Sequence, residues 1–471
     1  MSYSEKSKIE SPTRVRYGVL AFVCVLSMIT YLDRAAFPNL QEMVKVDMGL
    51  QSVADLGLAM TAFNLAYALF EVPTGWLGDR YGPRKTLIRV VLWWSAFVAL
   101  TALAGKTIFG IAIVGMFGVK MLAVIRFMFG AGEAGAYPNI AKAIYNWFPL
   151  RERGRASGMV WMASRFLGGL TPLIMLVLIK YFRMRWEAIL ILFAMLGVVW
   201  CLAWWLWFRD RPEEKPEVNQ AERDLIQAGS GPPSSHSGVP WGNILKSPTM
   251  WSICAMYFCI NVGWYFNMNY LPAFLEEQHG INKNSDIGAI YKGGPLLAGM
   301  LGCWIGGWLT DRYVRRTGNL KWGRRIYGVI GHGLAGMCLI ACVFAPDSLT
   351  FAILIALSGF TNDLTMASAW STCQDIGRRH AAVVSGTMNM IGNLGGALIT
   401  YVSPFILRVA RDRYAEAHGI AAELLSKDQL REAMMPGWRI NFVIFGVVYF
   451  FAMLFWFGID ATKPLESHRE S

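Results

Sequence analysis

Two residues of opposite charge, Arg126 and Glu133, stand seven positions apart inside an otherwise apolar run, RFMFGAGEAGAYPNIAKAIYNWFP (126–149). Seven residues is almost two helical turns, so a helix carries both on one face, about 10 Å apart along its axis. Arginine keeps a fixed charge on a planar fork that fits a carboxylate. A partly desolvated glutamate can take or release a proton near neutral pH. That division of labour suits anion binding coupled to proton exchange, and a purely structural ion pair is the plainer alternative. Ionisable groups within a membrane span are costly and mark substrate or proton pathways, so this helix reads as the wall of a transport site.

Other charges sit in similar surroundings. Asp33 and Arg34 follow Tyr31 in TYLDRA, near the outer end of the first apolar run, where an interfacial pair could also snorkel to water. Glu71 comes one turn after Tyr67 in AYALFEVP, and Arg165 lies in MASRFLGG. Two readings stand for this last pair. Either Arg165 neutralises Glu71, or Glu71 is a titrating site and Arg165 an additional cation for a substrate with two carboxylates. Towards the C-terminus, charges give way to neutral polar groups: Asn261, Tyr265 and Asn269, Trp370 and Ser371, then Asn389 and Asn393. These can hydrogen-bond the hydroxyls of a polyol, or simply hold helices together.

No covalent chemistry is visible. The eight cysteines are scattered singly, without CxxC pairs or histidines at ligand spacing, so neither disulfide, metal site nor cofactor is expected. GAGEAG (130–135) matches G-x-G-x-x-G, but that fingerprint needs a strand before it and a helix opening on it. Here it falls mid-span, where small residues let helices approach closely.

The elements that must position these residues are membrane helices. Of 471 residues 55% are hydrophobic and 16% charged, too few charges for a soluble protein of this length. Twelve apolar runs of spanning length recur from Val15 to Ile459. Six lie in an N-terminal half (1–208) and six in a C-terminal half (248–471), either side of a polar linker (209–247) containing RPEEKPE and GSGPPSSHSG. That linker should be a mobile connection. The formal charge of +12 comes from short basic clusters between the runs, which fits the positive-inside rule better than nucleic-acid binding. Lys and Arg concentrate in the even-numbered loops, so both termini should be cytoplasmic. The first run is too long for a signal peptide and is expected to remain as a span. Residues 106–120 should extend the third and fourth helices or form a short outer helix, and 408–437 should include a surface helix. GWLGDRYGPRK (75–85) is echoed by GGWLTDRYVRRTGNLKWGRR (306–325), an internal repeat appropriate to a two-lobed transporter with a midplane site.

The first of those loops resembles the cytoplasmic signature between the second and third helices of the major facilitator superfamily. TYLDRA, AYALFEVPTGWLGDR, RFMFGAGEAGAYPN, NWFPLRERGRASG and MNMIGNLGG together resemble the anion:cation symporters, a group that includes bacterial galactonate, glucarate and hexuronate permeases. The resemblance spans nearly the whole chain. It implies an all-α membrane fold of twelve helices. It implies that Asp33 and Glu133 carry coupling protons, that Arg126 binds the substrate carboxylate, and that Arg34, with the Tyr31 hydroxyl, contributes to anion binding. Asn393 is the foremost candidate for reading the sugar chain. Gly75, Asp79, Arg80, Arg84 and Lys85, with Asp311 and Arg312 in the second copy, would form a cytoplasmic gate whose aspartate bonds a neighbouring helix end and nearby arginines while closed. Relatives often have Gln in place of Glu71 and an uncharged group in place of Arg165, which bears on substrate identity. The expectation is therefore a monomeric proton symporter of a small organic anion, a sugar acid, in a bacterial inner membrane. An exchanger or uniporter of dicarboxylic or aromatic acids, or a sodium-coupled carrier, is the alternative.

Overall fold

Apolar runs of this length leave the backbone one way to satisfy itself in lipid, which is the helix. The structure, a computed structural model, describes residues 11–48, 56–103, 107–108, 111–112, 118–228, 238–281 and 286–465. The N-terminal half comprises α1 (Val15–Asp47), α2 (Gly57–Tyr81), α3 (Pro83–Ala102), α4 (Gly118–Glu133), α5 (Ala136–Trp147), α6 (Arg153–Leu176) and α7 (Trp186–Trp207). Two short helices follow in the linker, α8 (Gln220–Gln227) and α9 (Trp241–Lys246). The C-terminal half comprises α10 (Pro248–Asn269), α11 (Leu271–His279), α12 (Asp286–Thr317), α13 (Leu320–Ala341), α14 (Ser348–Asp363), α15 (Met366–Gly377), α16 (Ala381–His418) and α17 (Lys427–Phe455).

These make twelve spans, because α4 and α5 form the fourth and α14 and α15 the tenth. Each of those is interrupted over two residues, at Ala134 and Gly135 and at Leu364 and Thr365. Among the described residues, seven segments are long and apolar enough to cross a membrane by length and composition, one of them joining the tenth and eleventh spans. The second, fourth, seventh and eighth fall short because they carry polar and charged groups that the bundle interior must shelter.

Three expectations about the connections change. Between the third and fourth spans the described residues form an antiparallel pair, β1 (Thr107–Ile108) with β2 (Ile111–Ala112), instead of a short helix. After the eleventh span the separate surface element shrinks to one 3-10 turn, Ala422–Leu424, since α16 runs unbroken for 38 residues to His418 and α17 begins at Lys427. The first half of the linker is packed rather than loose. Glu222 on α8 is fully buried, accepts from the backbone N–H groups of Val15 and Arg16, and pairs with the Arg16 guanidinium at 2.8 Å.

The halves meet along two glycine-lined crossings, α6 on α12 and α2 on α16. A Cβ on Gly158 would lie 2.5 Å from the Cys303 carbonyl oxygen, and one on Gly75 would lie 2.7 Å from that of Ala382. Small residues allow this approach where lipid offers no hydrophobic drive. Gly158→Val is expected to cost about 1–3 kcal/mol through overpacking, seen as a lower melting temperature in detergent by tryptophan fluorescence. An unchanged melting curve would mean the crossing tolerates the bulk.

Candidate functional site

The charges inside the bundle converge on a cavity of about 50 Å³ between the halves, lined among others by Tyr31, Arg34, Tyr67, Arg165, Asn261, Tyr265, Asn389 and Asn393. Because α1 continues to Asp47, Asp33 and Arg34 lie near the middle of the first span and not at its outer end. Asp33 is 2% exposed, and neither carboxylate oxygen has a hydrogen-bond partner. A snorkelling pair would show the opposite.

The pairing of the arginines departs from their spacing in sequence. Glu133 holds Arg34, Oε1 to Nε 3.3 Å, and leaves its second oxygen buried without a bond. The Arg34 guanidinium also lies 4.3 Å from the centre of the Tyr67 ring. Arg126 is enclosed by Phe37, Phe63 and Phe129, at 4.5, 5.0 and 4.6 Å from their ring centres, and its Nε has no acceptor. Cation–π contact of that kind compensates only part of the lost hydration. One buried cation and one buried carboxylate, Arg126 and Asp33, therefore keep unused bonding capacity beside the Arg34–Glu133 pair.

Neither Glu71 nor Arg165 takes the other as partner. The Glu71 carboxylate reaches across to the other half, accepting from Asn389 and, at 3.3 Å, from Asn393. Asn393 in turn accepts from the Tyr265 hydroxyl at 3.0 Å. Arg165 binds Asp363 through two bonds, 2.5 and 3.1 Å, and donates also to the Tyr31 hydroxyl. Asp363 was not among the candidate residues. Its signal was the internal repeat: it ends α14 as Glu133 ends α4, each just before the interruption of its span.

Other candidates fall in different places. Ser371 is fully buried and bonds the Ala367 carbonyl of its own helix at 2.6 Å, so it does not face the cavity. Trp370 lies beneath the floor, giving its N–H to the Tyr257 hydroxyl at 3.2 Å and packing on Trp161. Asn269 bonds Thr400 at an exposed position.

The first and last described segments lie at one end of the bundle, where Arg16 pairs with Glu152 and the Leu465 N–H bonds the Ile376 carbonyl. That end is closed by two equivalent contacts. Asp79 accepts from the N–H groups of Ala382 and Val383, which open α16, at 3.2 and 2.9 Å. Asp311 accepts from those of Gly154 and Arg155, which open α6, at 3.1 and 2.7 Å. Each aspartate thus meets the positive end of a helix in the opposite half. The cationic partner of Asp79 is Lys142, at 3.6 Å, not the expected Arg80 or Arg84. Arg80 stacks on Trp76 and Tyr81, Arg84 donates to the Trp205 carbonyl, Lys85 lines a surface groove, and Arg312 stacks on Trp308. Between the two contacts Asp375 bridges Arg153 and Arg324, which sequence reading also missed.

Burial pushes the Asp79 and Asp311 carboxyls, which follow the apolar runs of α2 and α12 at the closed end, up to about 6 against the pull of Lys142 and Arg324. In an open arrangement water would return them towards their ordinary value near 3.8. The closed form therefore binds protons more tightly, so acidification from about pH 7 towards 5 is expected to favour it, and closure weakens as pH rises through 6. Spin-label distances across this end would check the sign; lengthening on acidification would contradict it.

The Major Facilitator Superfamily model matches residues 23–400. A probable sulfoacetate transporter of Cupriavidus necator is 30% identical over 84% of this chain and 88% of its own. A probable galactarate/D-glucarate transporter of Escherichia coli is 27% identical over 85% of this chain and 89% of its own. The structure of the proton:xylose symporter XylE is similar in fold, with a TM-score of 0.67 at 12% identity over 95% of this chain and 98% of that one. With the matched region covering most of the twelve spans and the fold shared, the chain belongs to the Major Facilitator Superfamily, a family of membrane transporters.

Proposed function

We propose that this transporter imports a small organic anion, a sugar acid of the hexonate, hexuronate or aldarate class, together with protons. It would act in a bacterial plasma membrane, with both termini and the closed end facing the cytoplasm. The observation that carries the reading is the Arg34–Glu133 pair, a cation already held by an internal carboxylate at the cavity wall, with Asp33 and Arg126 close by and unsatisfied. Protonation of Glu133 or Asp33 from the outside frees guanidinium charge. A substrate carboxylate takes the vacated place, and Tyr67, Asn261, Tyr265 and Asn393 bond its hydroxyls. The two halves, 1–208 and 248–471, then rock about the site. On the inner side lower proton activity lets the carboxylates ionise, reclaim their arginines and expel the anion. The relatives named as transporters of sulfoacetate and of galactarate and glucarate support an anionic cargo.

The test is uptake of labelled galactonate, glucuronate and glucarate into proteoliposomes, with and without an inward proton gradient. Gradient-dependent accumulation of at least one is expected. Accumulation driven by sodium alone would replace the coupling ion, and no uptake of any would reject the substrate class.

A further inference from the structure

We propose that Arg165 forms a second anion-binding subsite and that Asp363 is its internal occupant, so that the cavity is built for a substrate carrying two anionic groups. The inference rests on the transport reading above. Arg34 and Arg165 flank the same ring, their guanidinium carbons 5.8 and 5.5 Å from the centre of Tyr31. They are therefore separated by less than the sum of those distances, within reach of the two ends of one small molecule. Each arginine is already held by a carboxylate, and each carboxylate ends the first segment of an interrupted span. The two arrangements are chemically alike, yet Arg34 is held within its own half while Arg165 joins the halves.

Asp363 is held in register by a directed chain of bonds. The Trp456 indole N–H donates to Nδ1 of His332 at 2.9 Å, which leaves the imidazole proton on Nε2. Nε2 then donates to the Thr365 hydroxyl at 2.9 Å, which donates to the Asn362 carbonyl at 2.8 Å. The interruption of the tenth span is thereby pinned from the ninth and twelfth.

A second anionic group that takes over both bonds of Asp363 displaces it from Arg165. A buried carboxylate deprived of its cation is disfavoured unless it takes a proton. The charged and titratable groups facing Asp363 are Arg165 from the fifth span, Cys303 from the eighth and Tyr449 from the twelfth, with Tyr31 behind Arg165. Arg165 is the one among them carrying opposite charge. Displacement therefore brings one proton to Asp363 for the second anionic group, as Glu133 takes one for the first, and a dianion crosses with two protons and no net charge. A monoanion satisfies Arg34 alone and leaves the halves joined through Arg165 and Asp363.

Counterflow exchange in proteoliposomes separates these cases with galactarate and galactonate, which share a carbon skeleton and differ in one carboxylate. The wild type is expected to favour galactarate by about 10- to 100-fold, the value of a charge-assisted pair. The paired neutral variant Arg165→Gln/Asp363→Asn should reduce that preference to within about 2-fold, with its fold checked separately by its tryptophan-fluorescence melting transition in detergent. Equal exchange of both anions by the wild type, or an undiminished preference in the double variant, overturns the inference and leaves the transport reading intact. Failure of the wild type to exchange any organic anion rejects the transport reading itself. On the wild type alone, galactarate flux should ignore an imposed membrane potential; dependence on it overturns the paired-proton arrangement even if the variants do not fold.

Discussion

Glu133→Gln is expected to abolish accumulation under a proton gradient while leaving substrate exchange across the membrane. Gln keeps the shape and the acceptor oxygen but carries no charge, so Arg34 loses its ionic partner in every state of the cycle. On the proposed mechanism, binding would then no longer require a proton, and release would no longer be driven by reionisation. A charge-assisted pair is worth about 1.5–3 kcal/mol, so uphill uptake should fall on the order of 10- to 100-fold with counterflow largely kept. Arg126→Ala, which empties the Phe37, Phe63 and Phe129 cage, should lose both. Uptake assays with and without an imposed gradient, run on the two variants in parallel, decide the matter. If Glu133→Gln still concentrated substrate, the coupling role would belong elsewhere, with Asp33 the next residue to replace.

Asp375→Asn should act on the conformational balance instead. Asp375 accepts from Arg153 at 3.2 Å and from Arg324 at 3.0 Å, so it joins the two halves at the closed end of the bundle. All three side chains are at most 1% exposed. Removing one partner from a buried ionic cluster costs about 3–5 kcal/mol, because the remaining charges keep their desolvation penalty. Here the penalty falls on the closed arrangement, and opening this end returns the arginines to water. A shift of roughly two to four orders of magnitude towards the open form follows. Spin labels at the exposed positions Arg151 and Arg316, one in each half, should report longer distances in the variant. Unchanged distances would make the cluster a passive filler.

Sequence alone determined what is local. The length and apolarity of the runs required helices across a membrane, since the helix is the arrangement in which a continuous apolar segment of about 20 residues satisfies its backbone polar groups within itself. The loop GWLGDRYGPRK and its degenerate copy pointed to the superfamily, and the charges embedded in apolar segments marked Asp33, Arg34, Glu71, Arg126, Glu133 and Arg165 as residues needing an interior. The partners of those residues were decided only in three dimensions. Glu133 sits on the same helical run as Arg126 yet pairs with Arg34, 99 residues away, and Arg165 finds Asp363 at a separation of 198. Spacing along a helix fixes which residues share a face, but the neighbour that face meets depends on the packing of other helices. Asp363 was legible only through the register of the repeat, and Ser371 was lost because a hydroxyl in a helix can bond its own backbone. A buried charge in the sequence announces that a partner must exist; only the tertiary structure chooses which one, because the pairing energy is collected between segments far apart in the chain.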